Sequence, residues 1–170
     1  MKHTAQLVVW LAAAMLTACA TTPPPADLSK YHSISIQLDS TSAHDAQDIQ
    51  NLQSILVEKL KKDTPFETVK LSGGDTPADL HIVAEVALVR RVSNAQRISL
   101  GRSAGSNTIS AWYTLVDGTS GKELARFKLI AYSPQRTAIS PDWPWGDMET
   151  AMQRMGKQLA GKLATWYNHE

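Results

Sequence analysis

Three segments in the middle of the chain alternate apolar and polar residues, and this period of two constrains the fold more than any other feature. The segments are Leu80–Val92, Thr108–Asp117 and Glu123–Tyr132. In each, every second side chain can face a core while its neighbours face the other side of a sheet, as in half-buried β-strands. The residues of the first strand expected to face the core are Leu80, Ile82, Ala84, Val86 and Leu88, and those of the second are Ile109, Ala111, Tyr113 and Leu115.

The connection between the last two segments, DGTSGKE, predicts a β-hairpin. If Asp117 pairs with Glu123 at the end of this hairpin, Tyr113 lies opposite Phe127. The apolar sides of both strands then face one core, which supports this register. The same register places Trp112 on the outer face of the sheet, opposite Lys128 and flanked by Arg126, Ile130 and Tyr132.

Two other segments have helical spacing, with apolar residues recurring every three or four positions. They are Asp45–Lys62 and Asp147–Tyr167, with Asp147 as the expected N-cap of the second helix. Shorter strands are predicted at Tyr31–Leu38 and Phe66–Leu71. The order β-α-β-β-β-β-α predicts an α+β fold, a two-layer sandwich in which a five-stranded mixed, mostly antiparallel sheet carries two helices on one face.

The N-terminal segment indicates a secretory signal rather than part of this domain. A positive start, Met1-Lys2, precedes the apolar run Ala5–Leu16, and the segment closes with the residues LTAC that end at Cys19. That ending resembles the lipobox of bacterial lipoproteins. The resemblance implies cleavage before Cys19 and acylation of its sulfur, whereas a plain signal peptide or a buried helix is the alternative.

We therefore divide the chain into a signal peptide (1–18), an acylated cysteine with a flexible tether (19–30), and one α+β domain (31–170). Because Cys19 is the only cysteine, no internal disulfide can form. The next residue is Ala20 rather than aspartate. Under the sorting rule of enterobacterial lipoproteins, this implies lipid anchoring at the periplasmic face of the outer membrane.

Charge and histidine spacing exclude several functions. Loss of Lys2 with the signal leaves 16 Lys and Arg residues against 16 Asp and Glu residues, so no global field favours nucleic acid. The remaining histidines lack a second histidine or cysteine at the spacing of metal ligands. We expect no nucleic-acid partner, no metal and no cofactor.

The segment GRSAG, with Ser103 at its centre, matches the G-x-S-x-G pattern of hydrolase nucleophiles. A nucleophile elbow requires a helix immediately after the serine, but the following residues SNTISAWYTLV alternate like a strand. The interpretation as a glycine-containing hairpin loop is therefore favoured, and a hydrolase using Ser103 is the alternative.

Aromatic and basic residues suggest a partner-binding surface. Exposed tryptophan beside cationic side chains is typical of binding hot spots. The candidate partner-binding residues are Trp112, Lys128, Tyr132, Trp143 and Trp145. Alternatively, the loop with the last two tryptophans folds back and adds to the core.

Four arginines occur close together near the predicted loop between the first two long strands. They are Arg90, Arg91, Arg97 and Arg102. This cluster could contact anionic lipid, lipopolysaccharide or an acidic partner. The alternative is a solvated loop whose charges discourage pairing between sheet edges.

Several of these features together resemble a family of uncharacterised bacterial lipoproteins, the domain of unknown function DUF4410. They are Cys19, the strand ending in arginines, the turn LGRSAGSN and the segment ISAWYTLVDGTSGKELARF with its D-x-x-(T/S)-G-K turn. The resemblance covers residues 79–132 and departs at the glycine turn, where the family is richer in glycine and aromatic residues. It implies an envelope lipoprotein of unknown role and brings no catalytic residues.

From these observations we expect a non-enzymatic lipoprotein with a binding or assembly role in the cell envelope. Its expected partners are the membrane, through acylated Cys19, and an envelope protein or a second copy of the chain. A homo-oligomeric structural lipoprotein, in which sheet edges pair between subunits, is a further alternative.

Overall fold

The structure is a computed structural model that describes residues 27–40, 46–73, 78–133 and 147–168. The predicted signal peptide, Cys19 and most of the tether lie outside these residues, as do Trp143 and Trp145. The elements of the described residues follow in chain order: β1 (Ser33–Ser40), α1 (Ala46–Asp63), β2 (Thr68–Leu71), β3 (Leu80–Arg90), α2 (Asn94–Leu100), a 3-10 turn (Gly101–Ala104), β4 (Thr108–Asp117), β5 (Glu123–Tyr132) and α3 (Met148–Tyr167).

The five strands form one mixed sheet in the order β2-β1-β3-β4-β5. Strand β1 runs parallel to both β2 and β3, and β3, β4 and β5 are successively antiparallel. The parallel pairs follow from the connections, because antiparallel neighbours can be joined by a short loop whereas parallel neighbours need a crossover such as α1. The predicted α+β sandwich is confirmed.

The predicted hairpin register is confirmed except at its end. Tyr113 lies opposite Phe127, as expected, and their rings stack with centroids 5.7 Å apart. A register shift between Leu115 and Val116 pairs Glu123 with Val116 rather than with Asp117. A bulge of this kind leaves one extra residue on one strand, which the pattern of apolar residues alone does not predict.

A second register shift corrects the expectation for Leu88. Strand β3 shifts register between Val86 and Leu88, so Leu88 pairs with Ser110 and its side chain is exposed. The extra residue reverses the alternation beyond the shift, because each successive side chain of a strand points to the opposite face. Leu88 therefore lies on the outer face of the sheet and not in the core.

The core lies between the inner face of the sheet and the two long helices, which pack against each other. The apolar stripe predicted for the last helix is buried, and Asp147 is its N-cap, accepting a 2.8 Å hydrogen bond from the Thr150 backbone N–H. The helices approach closely at Gly156, where a Cβ atom would lie 2.8 Å from Cγ of Lys59. The glycine thus sets the spacing of the helix layer.

The connection between β3 and β4 contains the short helix α2, which sequence analysis had treated as a loop. Ser93 and Gln96 form a capping box: Ser93 Oγ accepts from the Gln96 backbone N–H (3.2 Å), and Gln96 Oε1 accepts from the Ser93 backbone N–H (2.9 Å). Asn107 closes the connection, since its Oδ1 accepts a 2.7 Å hydrogen bond from the Val92 backbone N–H.

Candidate functional site

The outer face of the sheet, opposite the helices, carries Trp112 at its centre. Trp112 pairs with Glu85 on β3 and with Lys128 on β5, as the predicted register requires for Lys128. The guanidinium carbon of Arg126 lies 5.4 Å from the centroid of the Trp112 ring, and the Lys128 amine lies 5.7 Å from it. The Trp112 ring is therefore held among cations, each close enough for a cation–π interaction.

Three further large apolar side chains are exposed next to Trp112. Leu88 and Ile130 flank Ser110 in one row of the sheet, and Tyr132 lies opposite Thr108 in the next row. We call these four residues the outer-face patch; their exposed fractions are 44% for Leu88, 37% for Trp112, 41% for Ile130 and 49% for Tyr132.

The outer-face patch is exposed because of where the long helices lie. Helices α1 and α3 both pack on the opposite face, so in the described part of the chain no long helix covers this one. Ser110 and Thr108 are buried between the larger side chains of the neighbouring strands. The arrangement forms a contiguous apolar surface with a cationic border, a composition found at protein-binding sites.

The patch covers the β4–β5 half of the sheet and Leu88 in the C-terminal part of β3, whereas the rest of the β1–β3 half of the same face is mostly polar. Ser35 Oγ and His81 Nδ1 are hydrogen-bonded across β1 and β3 at 2.5 Å. Glu85, between the two halves, lies 3.6 Å from the Arg126 guanidinium. A partner recognising this face would therefore meet an apolar surface on one side and a hydrogen-bonding surface on the other.

The predicted arginine cluster divides in the structure. Arg91 turns to α1, where its Nε donates a 2.9 Å hydrogen bond to Asp48 Oδ2 and its second guanidinium nitrogen binds Asp48 Oδ1. The Asp48 side chain is only 4% exposed, so Arg91 neutralises a buried carboxylate. Arg90 is exposed at the end of β3, and the side chains of Arg97 and Arg102 lie outside the described residues.

Ser103 is exposed in the 3-10 turn that follows α2. Strand β4 comes after it, and Gly105 between them has a φ of +82°. The histidines of the described ranges, His32 and His81, lie near the starts of β1 and β3. Ser103 follows the other end of β3, which at about 3.3 Å per residue is about 30 Å away. These histidines are therefore poorly placed to activate Ser103.

The D-x-x-(T/S)-G-K turn has a structural role in the fold. Asp117 Oδ2 accepts a 2.6 Å hydrogen bond from the Tyr31 hydroxyl, and its Oδ1 accepts from the Ser120 backbone N–H at 2.7 Å. These donors hold the pKa of Asp117 well below its usual range. The Gly118 backbone N–H donates a 2.7 Å hydrogen bond to the Asp79 carbonyl oxygen. The turn therefore joins the hairpin to the chain before β1 and β3.

Asp79 completes this junction by capping the start of β1. Its Oδ2 accepts hydrogen bonds from the backbone N–H groups of His32 (3.1 Å) and Ser33 (2.9 Å). Hydrogen bonding, chiefly from Ser33, lowers the pKa of Asp79. The two carboxylates are thus occupied by structural hydrogen bonds.

The described residues contain neither a metal-binding cluster nor a membrane-spanning helix. Within these residues, no cluster of three or more histidine, cysteine, aspartate or glutamate side chains could hold a metal ion. The helices of the same part of the chain are too short or too polar to cross a membrane.

The sequence pattern placed Trp112, Lys128, Ile130 and Tyr132 on the outer face of the sheet but missed one member of the outer-face patch. Ile130 is at an outward position of a correctly predicted strand, and the alternation that identified Trp112 also identified it. Leu88 was missed because only the register shift in β3 turns it outward.

Comparison with known proteins gives one family and several similar folds. The family model described as a domain of unknown function, DUF4410, matches residues 21–131. The PelC dodecamer from Paraburkholderia phytofirmans is 10% identical, with 81% of this chain and 92% of that chain covered and a TM-score of 0.56. In a comparison with curated proteins, none matched the chain.

Two other solved structures have a similar fold. The hypothetical protein CT253 from Chlamydia trachomatis is 11% identical, covers 81% of this chain and 98% of its own, and has a TM-score of 0.55. Protein XCC0632 from Xanthomonas campestris, of family DUF330, is 13% identical, with coverages of 80% and 85% and a TM-score of 0.52. At these identities the similarity concerns the fold alone.

Proposed function

The chain belongs to the DUF4410 family, and from that premise we propose that it is a lipid-anchored, non-enzymatic lipoprotein with a binding or assembly role in the bacterial cell envelope. In this proposal, acylated Cys19 holds the domain at the periplasmic face of the outer membrane. The outer-face patch binds an envelope protein. The exposure of this patch, on the side of the sheet that no long helix of the described residues covers, is the observation that carries the binding role.

The lipid anchor is supported by the sequence around Cys19. Each buried methylene of an acyl chain contributes about 0.8 kcal/mol, so several chains on one cysteine give stable anchoring. The first described residue, Asp27, is eight residues from Cys19. At about 3.3–3.6 Å per extended residue, this tether reaches at most about 30 Å, which keeps the domain close to the bilayer.

The binding role is supported by the composition of the outer-face patch. Tryptophan, tyrosine and arginine supply most of the binding energy in many protein interfaces, and Trp112, Tyr132 and Arg126 occur together here. Burying the exposed apolar area of the patch would contribute about 25 cal/mol per Å² before the costs of association are subtracted. The basic border favours a partner with acidic groups around an apolar centre.

Self-association is a second candidate, favoured by a different observation. In the described part of the chain, β5 pairs only with β4, so its other edge presents unpaired backbone groups. Such an edge can pair with a second chain. The PelC structure of similar fold is described as a dodecamer, which supports testing this chain for homo-oligomers.

A hydrolase that uses Ser103 is the enzymatic alternative. The strand that follows the serine and the remote position of the described histidines both weigh against it. If Ser103→Ala leaves every phenotype of the chain unchanged, the enzymatic alternative is rejected.

Site-specific photo-cross-linking in intact cells tests the binding role. A photoreactive residue at Ile130 should give cross-linked products, whereas one at Thr165, exposed on α3, should give few. Trp112→Ala should weaken the products formed from Ile130. Mass spectrometry would distinguish an envelope protein from a second copy of the chain. Equal cross-linking from both positions would contradict the proposed surface.

Metabolic labelling with palmitate tests the anchor separately. Label should be incorporated by the wild-type chain and lost in Cys19→Ala, and the wild-type chain should fractionate with the outer membrane. An unlabelled chain in the soluble fraction would refute the anchor without bearing on the patch.

A further inference from the structure

A basic groove lies between the two long helices, on the helix side of the sheet. Its volume is about 400 Å³. It is lined by Lys59, Lys62 and Asp63 of α1 and by Thr150, Gln153, Arg154 and Lys157 of α3. Sequence analysis did not find it, because its two halves are about 90 residues apart in the chain.

The groove has a local excess of positive charge. Four cationic side chains face one carboxylate, that of Asp63. Among the described residues, neither Lys62 nor Lys157 forms an ion pair, and Lys59 lies 3.6 Å from Glu58, which is outside the lining. Since the whole chain has a formal charge of only +1, this excess is a local feature.

Helix electrostatics account for only part of this charge. Lys62 is in the last turn of α1, where the helix macrodipole favours a cation. Arg154 and Lys157 lie in the second and third turns of α3, beyond the first turn to which the dipole effect is limited. The helix dipole therefore does not account for the presence of these two cations opposite the lysines of α1.

Two of the cations are held in place before any ligand binds. The Lys59 side chain is 20% exposed and packs over Gly156 at the closest approach of the helices. Nη1 of Arg154 donates a 3.1 Å hydrogen bond to the Tyr132 carbonyl oxygen. This bond does not use Nε and Nη2, the other two guanidinium nitrogens. Restricting these side chains lowers the entropy cost of binding.

We propose that this groove binds a phosphate-bearing anion with two or more negative charges. Arginine binds phosphate through two parallel hydrogen bonds, and lysines add point charges around it. Four cations against one carboxylate match a dianion better than a single carboxylate ligand. The phosphate could belong to an anionic lipid headgroup or to a soluble compound. The two long helices form this site, and its occupation does not require a partner on the outer-face patch, although Arg154 contacts the backbone of Tyr132.

The test uses the mature chain, residues 19–170, with Cys19→Ser so that no acyl chain contributes to binding. Isothermal titration with inorganic pyrophosphate probes a soluble ligand. Co-flotation with vesicles that contain cardiolipin, whose headgroup carries two phosphates, compared with phosphatidylcholine vesicles, probes a lipid headgroup. The double variant Lys62→Gln, Lys157→Gln removes two groove cations, and Lys61→Gln, Lys122→Gln removes two exposed lysines outside it.

We expect saturable binding of at least one probe, and binding about tenfold weaker in the groove variant, which corresponds to about 0.7 kcal/mol for each of the two exposed cations removed. The control variant should bind within about twofold of the parent chain, and unchanged near-ultraviolet circular dichroism would show that both variants fold. Binding of pyrophosphate alone would indicate a soluble ligand, and selective flotation with cardiolipin vesicles alone would indicate a lipid. Absence of binding to both probes, or equal losses in the two variants, would overturn the proposal.

Discussion

Gly118→Ala should destabilise the domain more than the addition of a single methyl group would suggest. A Cβ atom at this position would lie 2.0 Å from the carbonyl oxygen of Ala78 and 2.9 Å from that of Asp79. Both neighbours are backbone atoms, so no side-chain rotation can relieve the contact. The turn would have to move away from the chain before β3.

The size of the effect follows from two contributions. Displacing the turn breaks the hydrogen bond from the Gly118 N–H to the Asp79 carbonyl, worth about 1 kcal/mol. Overpacking of a tight site typically costs about 1–3 kcal/mol more. We therefore expect a loss of about 2–4 kcal/mol in the free energy of unfolding.

Urea unfolding of the mature chain with Cys19→Ser measures this loss, and Gly161→Ala is the matched control. Gly161 is exposed in α3, and a Cβ atom there meets no other atom within 4 Å. Alanine should therefore stabilise the helix at that position by about 1 kcal/mol. If Gly118→Ala unfolds within about 0.5 kcal/mol of the parent chain, the close packing of the turn is refuted.

Three further predictions concern individual side chains. The contribution of Asp117 to the free energy of unfolding should be complete above about pH 5 and be lost as the pH falls further, because the folded-state pKa of Asp117 lies below its unfolded value. Urea titrations should therefore show a shallower acid loss of stability in Asp117→Asn. Tyr113→Phe should raise the free energy of unfolding by about 1 kcal/mol, since the buried Tyr113 hydroxyl has no hydrogen-bond partner among the described residues. A clear loss of stability would show that the hydroxyl is hydrogen-bonded after all. Arg91→Ala should lower the free energy of unfolding by about 1–3 kcal/mol, because it leaves the buried Asp48 without its ion-pair partner. Adding Asp48→Ala should recover part of that stability, and additive losses in the double variant would contradict the coupling.

The sequence predicted most of the layers and topology because alternation and helical spacing are strong in this chain. Strand β4 illustrates this: Ile109, Ala111, Tyr113 and Leu115 were all expected to face the core, and all are buried. The capping residue Asp147 was also predictable, because a single side chain next to the helix start determines it.

The misses have two physical causes. Register shifts insert one residue without changing the local composition, which is why Leu88 was assigned to the wrong face. Helix α2 was not predicted because it has only seven residues, too few for a clear apolar period. Its start is defined by the capping pair Ser93 and Gln96. Short helices of this kind depend on such local hydrogen bonds more than on periodicity.

The candidate sites show a similar division between local and long-range information. Trp112 and Lys128 could be placed together because one hairpin register relates them. Arg91 was grouped with neighbouring arginines in the sequence, but it pairs with Asp48, 43 residues away. Contacts between distant elements depend on packing of the whole domain, and a single sequence does not reveal them.

The most direct test of the proposed binding role compares two properties of one variant, Trp112→Ser with Ile130→Ser. We expect the variant, extracted from membranes in mild detergent, to elute from a sizing column as a monomer, whereas the wild-type chain elutes in a larger complex. Because both side chains are already exposed, the thermal melting temperature should stay the same. If variant and wild type elute at the same size with unchanged melting, the outer face of the sheet is not the binding surface.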